Sequence, residues 1–377
     1  MDFTFTEDQE TIGKVARQLF EHRATPEHLT ELEGGEERHD ADLWRELARA
    51  DLLGISLPES VGGSGRGFVE LALLLTEVGW SVAPVPAYAT LLLGADTIAR
   101  YGDDAQLQRY LPAVIDGSWL LTAGLAEPGR SDPTRPATTA RRDGGCWRLD
   151  GTKELVPAAQ LARTILIPAS LGDGDIGVFL VDADSDGVEI RNVVTTNGEP
   201  HADVVLDGAA TTDRLAGDDR EILESLYARG LVGLCAIQLG VTERALRMAA
   251  SYTTEREQFG RPIGSFQAVQ QRMADAFIDV EAIRWTMWQA AWSLEQGGPP
   301  GRQAAIAKFW AAEAGSRVAA TAQQVHGGIG IDTTYPLFRY FLWAKHNELA
   351  LGSSSAQLAR LGATYVGVGC AREEQKG

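Results

Sequence analysis

Gln324-Val-His-Gly-Gly-Ile-Gly330 ends a long alanine-rich run, and Arg256-Glu-Gln-Phe-Gly260 with Phe266-Gln267 stands upstream of it. Neighbouring glycines let a backbone approach a partner closely, because they carry no β-carbon. An arginine fork matches phosphate oxygens with two parallel hydrogen bonds. Each stretch also has a plain reading. A glycine pair can be a helix C-terminal turn, Phe259 can be core, and Arg256 can pair weakly with Glu255 or Glu257. Their setting is the informative point, since both fall in one helical segment, residues 219–377. There Ile222, Leu226, Gly230, Leu234 and Ile237 lie on or near one stripe. Further helices are expected over 265–296, 302–325 and 336–349, so the segment reads as a four-helix bundle. Gly297-Gly-Pro-Pro-Gly301 is a loop. Trp285, Trp288, Trp292 and Trp310 have the spacing of core residues.

Upstream, residues 119–218 change period. Cys146-Trp-Arg-Leu149, Thr164-Ile-Leu-Ile167, Gly177-Val-Phe-Leu-Val181, Val188-Glu-Ile190 and Asp203-Val-Val-Leu206 are short, rich in β-branched residues and bounded by Gly, Asp or Pro. Such strands predict a small β-barrel or sandwich. Residues 1–118 read as helical. Thr6-Glu-Asp-Gln9 is a capping-box start, leading into Ile12, Val15, Ala16 and Leu19. A second helix carries Leu43, Trp44, Leu47 and Ala50 and ends near Gly54; a third spans 68–80. The expected class is α+β: an N-terminal helical domain (1–118), a middle β-barrel (119–218) and a C-terminal four-helix bundle (219–377).

The chain has 377 residues, 44% of them hydrophobic, and a formal net charge of −18. That length supports two or three domains with a large core. The negative balance argues against nucleic acid and anionic membranes as partners, because a phosphate binder needs a basic stripe. Apolar runs such as 71–75 and 91–93 are too short to cross a bilayer. Asp2, Glu7 and Asp8 make the N-terminus unlike a secretory signal. Cys146, Cys235 and Cys370 match no zinc or redox spacing and suit a reducing, cytoplasmic compartment. The six histidines form no ligand pattern, so no metal is expected.

Helices, then strands, then a bundle is the domain order of the acyl-CoA dehydrogenase family, and local motifs resemble that family along almost the whole chain. Leu52-Leu-Gly-Ile-Ser-Leu-Pro-Glu-Ser-Val-Gly-Gly-Ser-Gly65 resembles its N-terminal loop. Leu125-Ala-Glu-Pro128 resembles the middle-domain segment facing the flavin, and the stretches at 256–267 and 324–330 resemble its two flavin motifs. The resemblance implies FAD as cofactor, α,β-desaturation of an acyl-CoA thioester, and an electron-transfer flavoprotein as acceptor. It also implies that the bundle of one subunit completes the FAD site of its neighbour. On that basis Arg256 faces the pyrophosphate, Phe259 packs against adenine or ribose, and Gln267 and Gln324 offer amides. Gly327 and Gly328 let the backbone close on the cofactor. His326 reads as structural.

The family's reaction takes a weakly acidic α-proton while the β-hydride passes to the flavin, which demands a placed base and donors on the thioester oxygen. Most members carry the base as a Glu just before a Gly-Thr/Ser-Ser run. By resemblance that position is Leu351, in Ala344-Lys-His-Asn-Glu-Leu-Ala-Leu-Gly-Ser-Ser-Ser355, and leucine takes no proton. Some members carry the base on an earlier bundle helix, near Gly230 here, where no carboxylate stands. Glu224 and Glu348 are the nearby carboxylates that could act as a displaced base, although helical glutamates usually face solvent. Ala126 replaces a threonine that bonds the flavin ring, and the run after it, 129–132, is one residue short. Leu155-Val-Pro157 replaces the Trp-x-Thr that packs on the ring, and Pro157 also lacks an N–H donor.

The half-site offered to a neighbour is thus kept while the chain's own half is degraded. The chain resembles the Glu-lacking subunit of actinobacterial-type α2β2 steroid side-chain dehydrogenases, notably at 335–345 and at Val156-Pro157. The implied partner is a paralogous dehydrogenase chain, and the implied substrate a bulky acyl-CoA. Three alternatives stay open: a self-sufficient enzyme using Glu224 or Glu348, a flavin monooxygenase or oxidase on the same fold, and a non-catalytic scaffold.

Overall fold

The computed structural model describes residues 4–35 and 38–363, so Cys370 lies outside the described residues. α1 (Glu7–Arg23) begins with the expected capping box. The Gln9 N–H donates to Thr6 Oγ1 at 3.2 Å, and the Thr6 N–H donates to Gln9 Oε1 at 3.0 Å. α2 (Pro26–Glu33) and α3 (Ala41–Arg49) follow, and α3 stops short of Gly54. α4 (Phe68–Ser81) is buried along its whole length. A π-helix over Tyr88–Asp96 then leads into α5 (Thr97–Tyr101) and α6 (Asp104–Ile115). π-Helical turns are rare and gather at functional sites. This one is tied to the bundle by a buried ion pair, Asp96–Arg229 at 3.0 Å.

Seven strands follow: β1 (Leu121–Ala123), β2 (Thr139–Asp143), β3 (Cys146–Pro157), β4 (Thr164–Gly172), β5 (Asp175–Asp182), β6 (Val188–Val193) and β7 (His201–Thr211). They form one mixed sheet. β3 pairs antiparallel with β2 and β7, β6 with β7, and β5 with β4. β1 runs parallel to β4, and β2 pairs with β4 at Thr139 and Ser170. The sheet curls, but no continuous ladder closes it; beyond β7 only an isolated bridge joins Arg214 to Phe179. This half-barrel corrects the expected closed barrel. β1 and β2 divide one edge of β4 between them, so the strands cannot complete an up-and-down ring.

The third layer is helical: α7 (Asp219–Glu255), a small hairpin of β8 (Glu257–Gln258) and β9 (Arg261–Pro262), α8 (Gln267–Glu295), α9 (Pro300–His326) and α10 (Leu337–Leu349), with a further helical stretch over 354–363. α7 is long and apolar enough to cross a membrane by length and composition, which the short-run reading of the sequence missed; its apolar window is 94% buried inside the protein, as a core helix is. Where α4 and α7 cross, a β-carbon on Gly240 would lie 1.9 Å from Thr76 O. Only glycine admits that contact.

One hydrophobic core joins the N-terminal helices, the bundle and one set of sheet residues; a second fills the curl of the sheet, around Leu149, Ile165 and Phe179. The bundle tryptophans divide. Trp288 and Trp310 pack against the core, but Trp285 and Trp292 are 49% and 48% exposed. That corrects the core reading for these two, because a seven-residue spacing on α8 also describes its outward face.

Candidate functional site

A cavity of about 580 Å³ lies where the three layers meet. The π-helix supplies Tyr88 and Leu93, the end of β3 supplies Leu155 and Pro157, and the turn after α10 supplies Leu351. Leu351 adopts φ 54°, an uncommon conformation for leucine. Its carbonyl is fixed by the Tyr227 hydroxyl at 3.1 Å and by Gln357 Nε2 at 3.2 Å. Gly230, on α7, lies against it. A β-carbon on Gly230 would meet Leu93 Cδ2 at 3.2 Å, Leu351 Cδ1 at 3.3 Å and Tyr88 Oη at 3.3 Å. The Tyr88 hydroxyl donates to the Gly230 carbonyl at 3.1 Å. The two positions singled out in the sequence therefore converge on one spot, filled by leucine side chains and the Tyr88 hydroxyl.

Neither carboxylate considered as a displaced base lines this cavity. Glu224 is exposed, because six residues of α7 place it well round the helix from Gly230. Glu348 pairs with Lys345 Nζ at 2.6 Å. The carboxylates that do line the cavity are Glu154 and Glu199. Burial pushes the Glu199 carboxyl up to about 8, against a hydrogen bond from Asn197 Nδ2 at 2.7 Å. His201 and His346 stand beside it with ring centroids 4.9 Å apart. Burial lowers both imidazoles, His346 to about 3 with a further push from His201, so both are neutral at pH 7.

Two buried lysines support the walls. Lys153 Nζ meets Glu127 Oε1 at 2.6 Å, both side chains being almost fully buried. Burial takes the Lys153 ammonium down to about 8 although Glu127 pulls it upward. Burial also acts to raise Glu127, but Lys153 and hydrogen bonds at Thr138 and Ala137 outweigh it and leave that carboxyl below its ordinary range. The pair holds the strand behind Ala126, whose carbonyl accepts the Glu154 N–H at 2.9 Å. Lys308 Nζ donates to the Asn347 and Glu348 carbonyls at 2.7 and 3.1 Å, closing the C-terminus of α10 just before Leu351. Burial lowers it to about 8.

None of Glu199, His201, His346, Lys153 or Lys308 was singled out in the sequence. Lys153 alone left a signal: it falls four residues after buried Leu149 in a strand, on the inward phase. Among the described residues, no group of three or more His, Cys, Asp or Glu is arranged to hold a metal.

The other six sequence-selected residues gather at one end of the bundle. Arg256 follows α7, Phe259 tops the β8–β9 hairpin, Gln267 opens α8, Gln324 lies in the last turn of α9, and Gly327 and Gly328 follow it. All six are exposed. Tyr252 stacks on His326 at 4.4 Å, and the Tyr335 hydroxyl lies 3.1 Å from His326 Nε2. His326 thus ties the ends of α7 and α9 together. Phe259 and Gly260 both take positive φ, as the central pair of a tight hairpin does. Phe259 is also 93% exposed. A bulky aromatic in that conformation, packed on almost nothing, costs stability in the lone chain. Gly327 has φ 64°, and β-carbons at Gly327 and Gly328 would meet only open space. The arginine, the amides and the open glycine backbone suit a dinucleotide. The cavity suits a flavin ring poorly, since Ala126 and Leu155 bring neither hydroxyl nor aromatic face, the Leu155 N–H is spent on Asp203 Oδ1 at 2.9 Å, and Pro157 has no N–H. From Gly230 to Arg256 is 26 residues of α7, about 39 Å.

Family models match in the same order as these layers: acyl-CoA dehydrogenase N-terminal domain over 6–118, middle domain over 122–209 and C-terminal domain over 225–365. Acyl-CoA dehydrogenase FadE27 of Mycobacterium tuberculosis is 40% identical, covering 96% of this chain and 98% of its own. The chain belongs to the acyl-CoA dehydrogenase family. Among solved structures, a chain of the Tcur3481–Tcur3483 steroid acyl-CoA dehydrogenase (G363A variant) superposes with a TM-score of 0.92 at 44% identity, covering 97% of this chain and 99% of that one. A chain of the ChsE4–ChsE5 complex from Mycobacterium tuberculosis does so with 0.91 at 40%, with the same coverage. This acyl-CoA dehydrogenase is therefore a flavoenzyme-fold relative of subunits of actinobacterial steroid-CoA dehydrogenase complexes.

Proposed function

We propose that the chain is the base-lacking, flavin-completing subunit of a heteromeric acyl-CoA dehydrogenase. The asymmetry between its two half-sites carries the reading. The dinucleotide-type residues are presented outward, about 39 Å along α7 from the cavity. At the cavity neither base position, Leu351 or Gly230, carries a carboxylate, and the space between them is filled by Leu93, Leu351 and the Tyr88 ring with its hydroxyl. A self-sufficient enzyme using Glu224 or Glu348 draws no support, since neither lines that cavity.

In this reading Arg256 binds the FAD pyrophosphate, Phe259 covers the adenosine, and Gln267 and Gln324 orient the dinucleotide in the partner's site. Bound FAD supplies the hydride acceptor. The paralogous partner supplies the carboxylate base, the contacts to the thioester oxygen and the wall behind the flavin ring. The substrate class is a bulky acyl-CoA, with steroid side chains favoured by the similarity to two-chain steroid dehydrogenases. An electron-transfer flavoprotein takes the electrons.

The test is flavin absorbance per chain, measured on this protein alone and co-purified with a paralogous dehydrogenase chain. Half occupancy in the co-complex and none in the lone protein is expected. Full occupancy in the lone protein would sink the proposal.

A further inference from the structure

We infer that the chain's own cavity is a second, non-catalytic ligand site, for a neutral and largely apolar small molecule with one hydrogen-bonding end. Its volume of about 580 Å³ lies within the usual range for small-molecule sites, roughly 300–1,000 Å³. One side is hydrocarbon, from Leu93, Leu234, Ile237, Trp343 and Leu351. The other side is polar without net charge. Glu199 Oε2 accepts from Asn197, while its second oxygen has no hydrogen-bond partner among the described residues. His201 uses Nδ1 on the Glu199 carbonyl at 3.1 Å, leaving Nε2 for a ligand. A protonated carboxyl and a neutral imidazole together offer a donor and an acceptor to one polar group.

The rim repeats the pattern. Arg130 and Glu154, the charged groups there, are opposite in sign. Leu155, Val194 and Leu349 expose apolar side chains at the mouth. An anionic dinucleotide finds no net positive charge at this cavity, and a flavin ring finds no side-chain hydrogen-bond partner at Ala126 or Pro157. A neutral apolar body entering past the leucines finds both parts of its chemistry matched.

The experiment is a fluorescence titration of the full chain with Nile red, a neutral apolar dye with a carbonyl end. Saturable binding at one dye per chain is expected. Ala350→Trp, just after α10, and Ala126→Phe, beside β3, fill the space from two different elements and should each weaken binding by about tenfold or more. Glu199→Leu should weaken it by up to about tenfold, while Glu199→Gln, which keeps a donor and an acceptor, should change it by less than about twofold. Wild-type circular dichroism and a single cooperative thermal transition show that each variant is folded. Dye binding untouched by both filling variants overturns the proposal by placing the dye on the surface. Stoichiometric displacement by FAD also overturns it, by showing a flavin site instead. Neither outcome depends on the flavin content of a co-complex, so this inference and the proposed function fail separately.

Discussion

Gly230 and Leu351 come from separate helical regions yet stand against each other: a β-carbon on the glycine would sit 3.3 Å from Leu351 Cδ1. Contacts that tight make Gly230→Ala an overpacking change, expected to cost about 1–2 kcal/mol. Leu351→Ala opens the space. The double variant should therefore lose less than the sum of the two, by at least about 0.5 kcal/mol. Urea melts of all four proteins measure this, and strict additivity would contradict the contact.

The Lys153–Glu127 pair is almost fully buried. Lys153→Met strands the carboxylate and should cost about 3–5 kcal/mol, whereas adding Glu127→Gln should recover part of the loss. Denaturant midpoints decide. A cost under about 1 kcal/mol for the single change would mean that the pair is solvated.

Glu199 gives a pH dependence. Burial holds its carboxyl at about 8, so from about pH 4.5 to 8 the folded chain keeps a proton that the unfolded chain has lost. The stability due to this group is full below pH 4.5 and drains away as pH rises through 8. Glu199→Gln should melt at the wild-type temperature at pH 5 and above it at pH 9. An offset of the same size at both pH values would exclude this titration as its cause.

Phe259 separates folding from assembly. Because it is 93% exposed in a conformation unfavourable for phenylalanine, Phe259→Ala should move the stability of the lone chain by no more than about 0.5 kcal/mol. The same change should lower flavin retention in the co-complex, read by absorbance after gel filtration. Unaltered retention would remove Phe259 from the flavin reading.

Much of the architecture was legible because it rests on local periodicity. The capping box at Thr6, α4, and the cores of β3, β4, β5 and β7 follow helix and strand spacing directly. The π-helix over Tyr88–Asp96 carried no signal, since its apolar run fits helix and buried strand alike. The open sheet was also beyond reach, because β1 and β2 sharing an edge of β4 is a long-range arrangement. At the cavity, Leu351 and Gly230 could be found from motif positions. Glu199 and His201 could not, as a loop and the first residue of β7 place them and no spacing marks them. Trp285 and Trp292 misled because the repeat of an outward helix face resembles that of an inward one.

The hydrocarbon contact among Leu93, Leu351 and Gly230 also bears on descent. A carboxylate restored at 351 would be set among leucines, with its proton held more tightly by desolvation. One placed at 230 would not fit without moving Leu93, Leu351 and Tyr88. On the proposed function this packing acts as a ratchet: one substitution at either position does not rebuild a working base, so the chain stays dependent on the gene that encodes its partner.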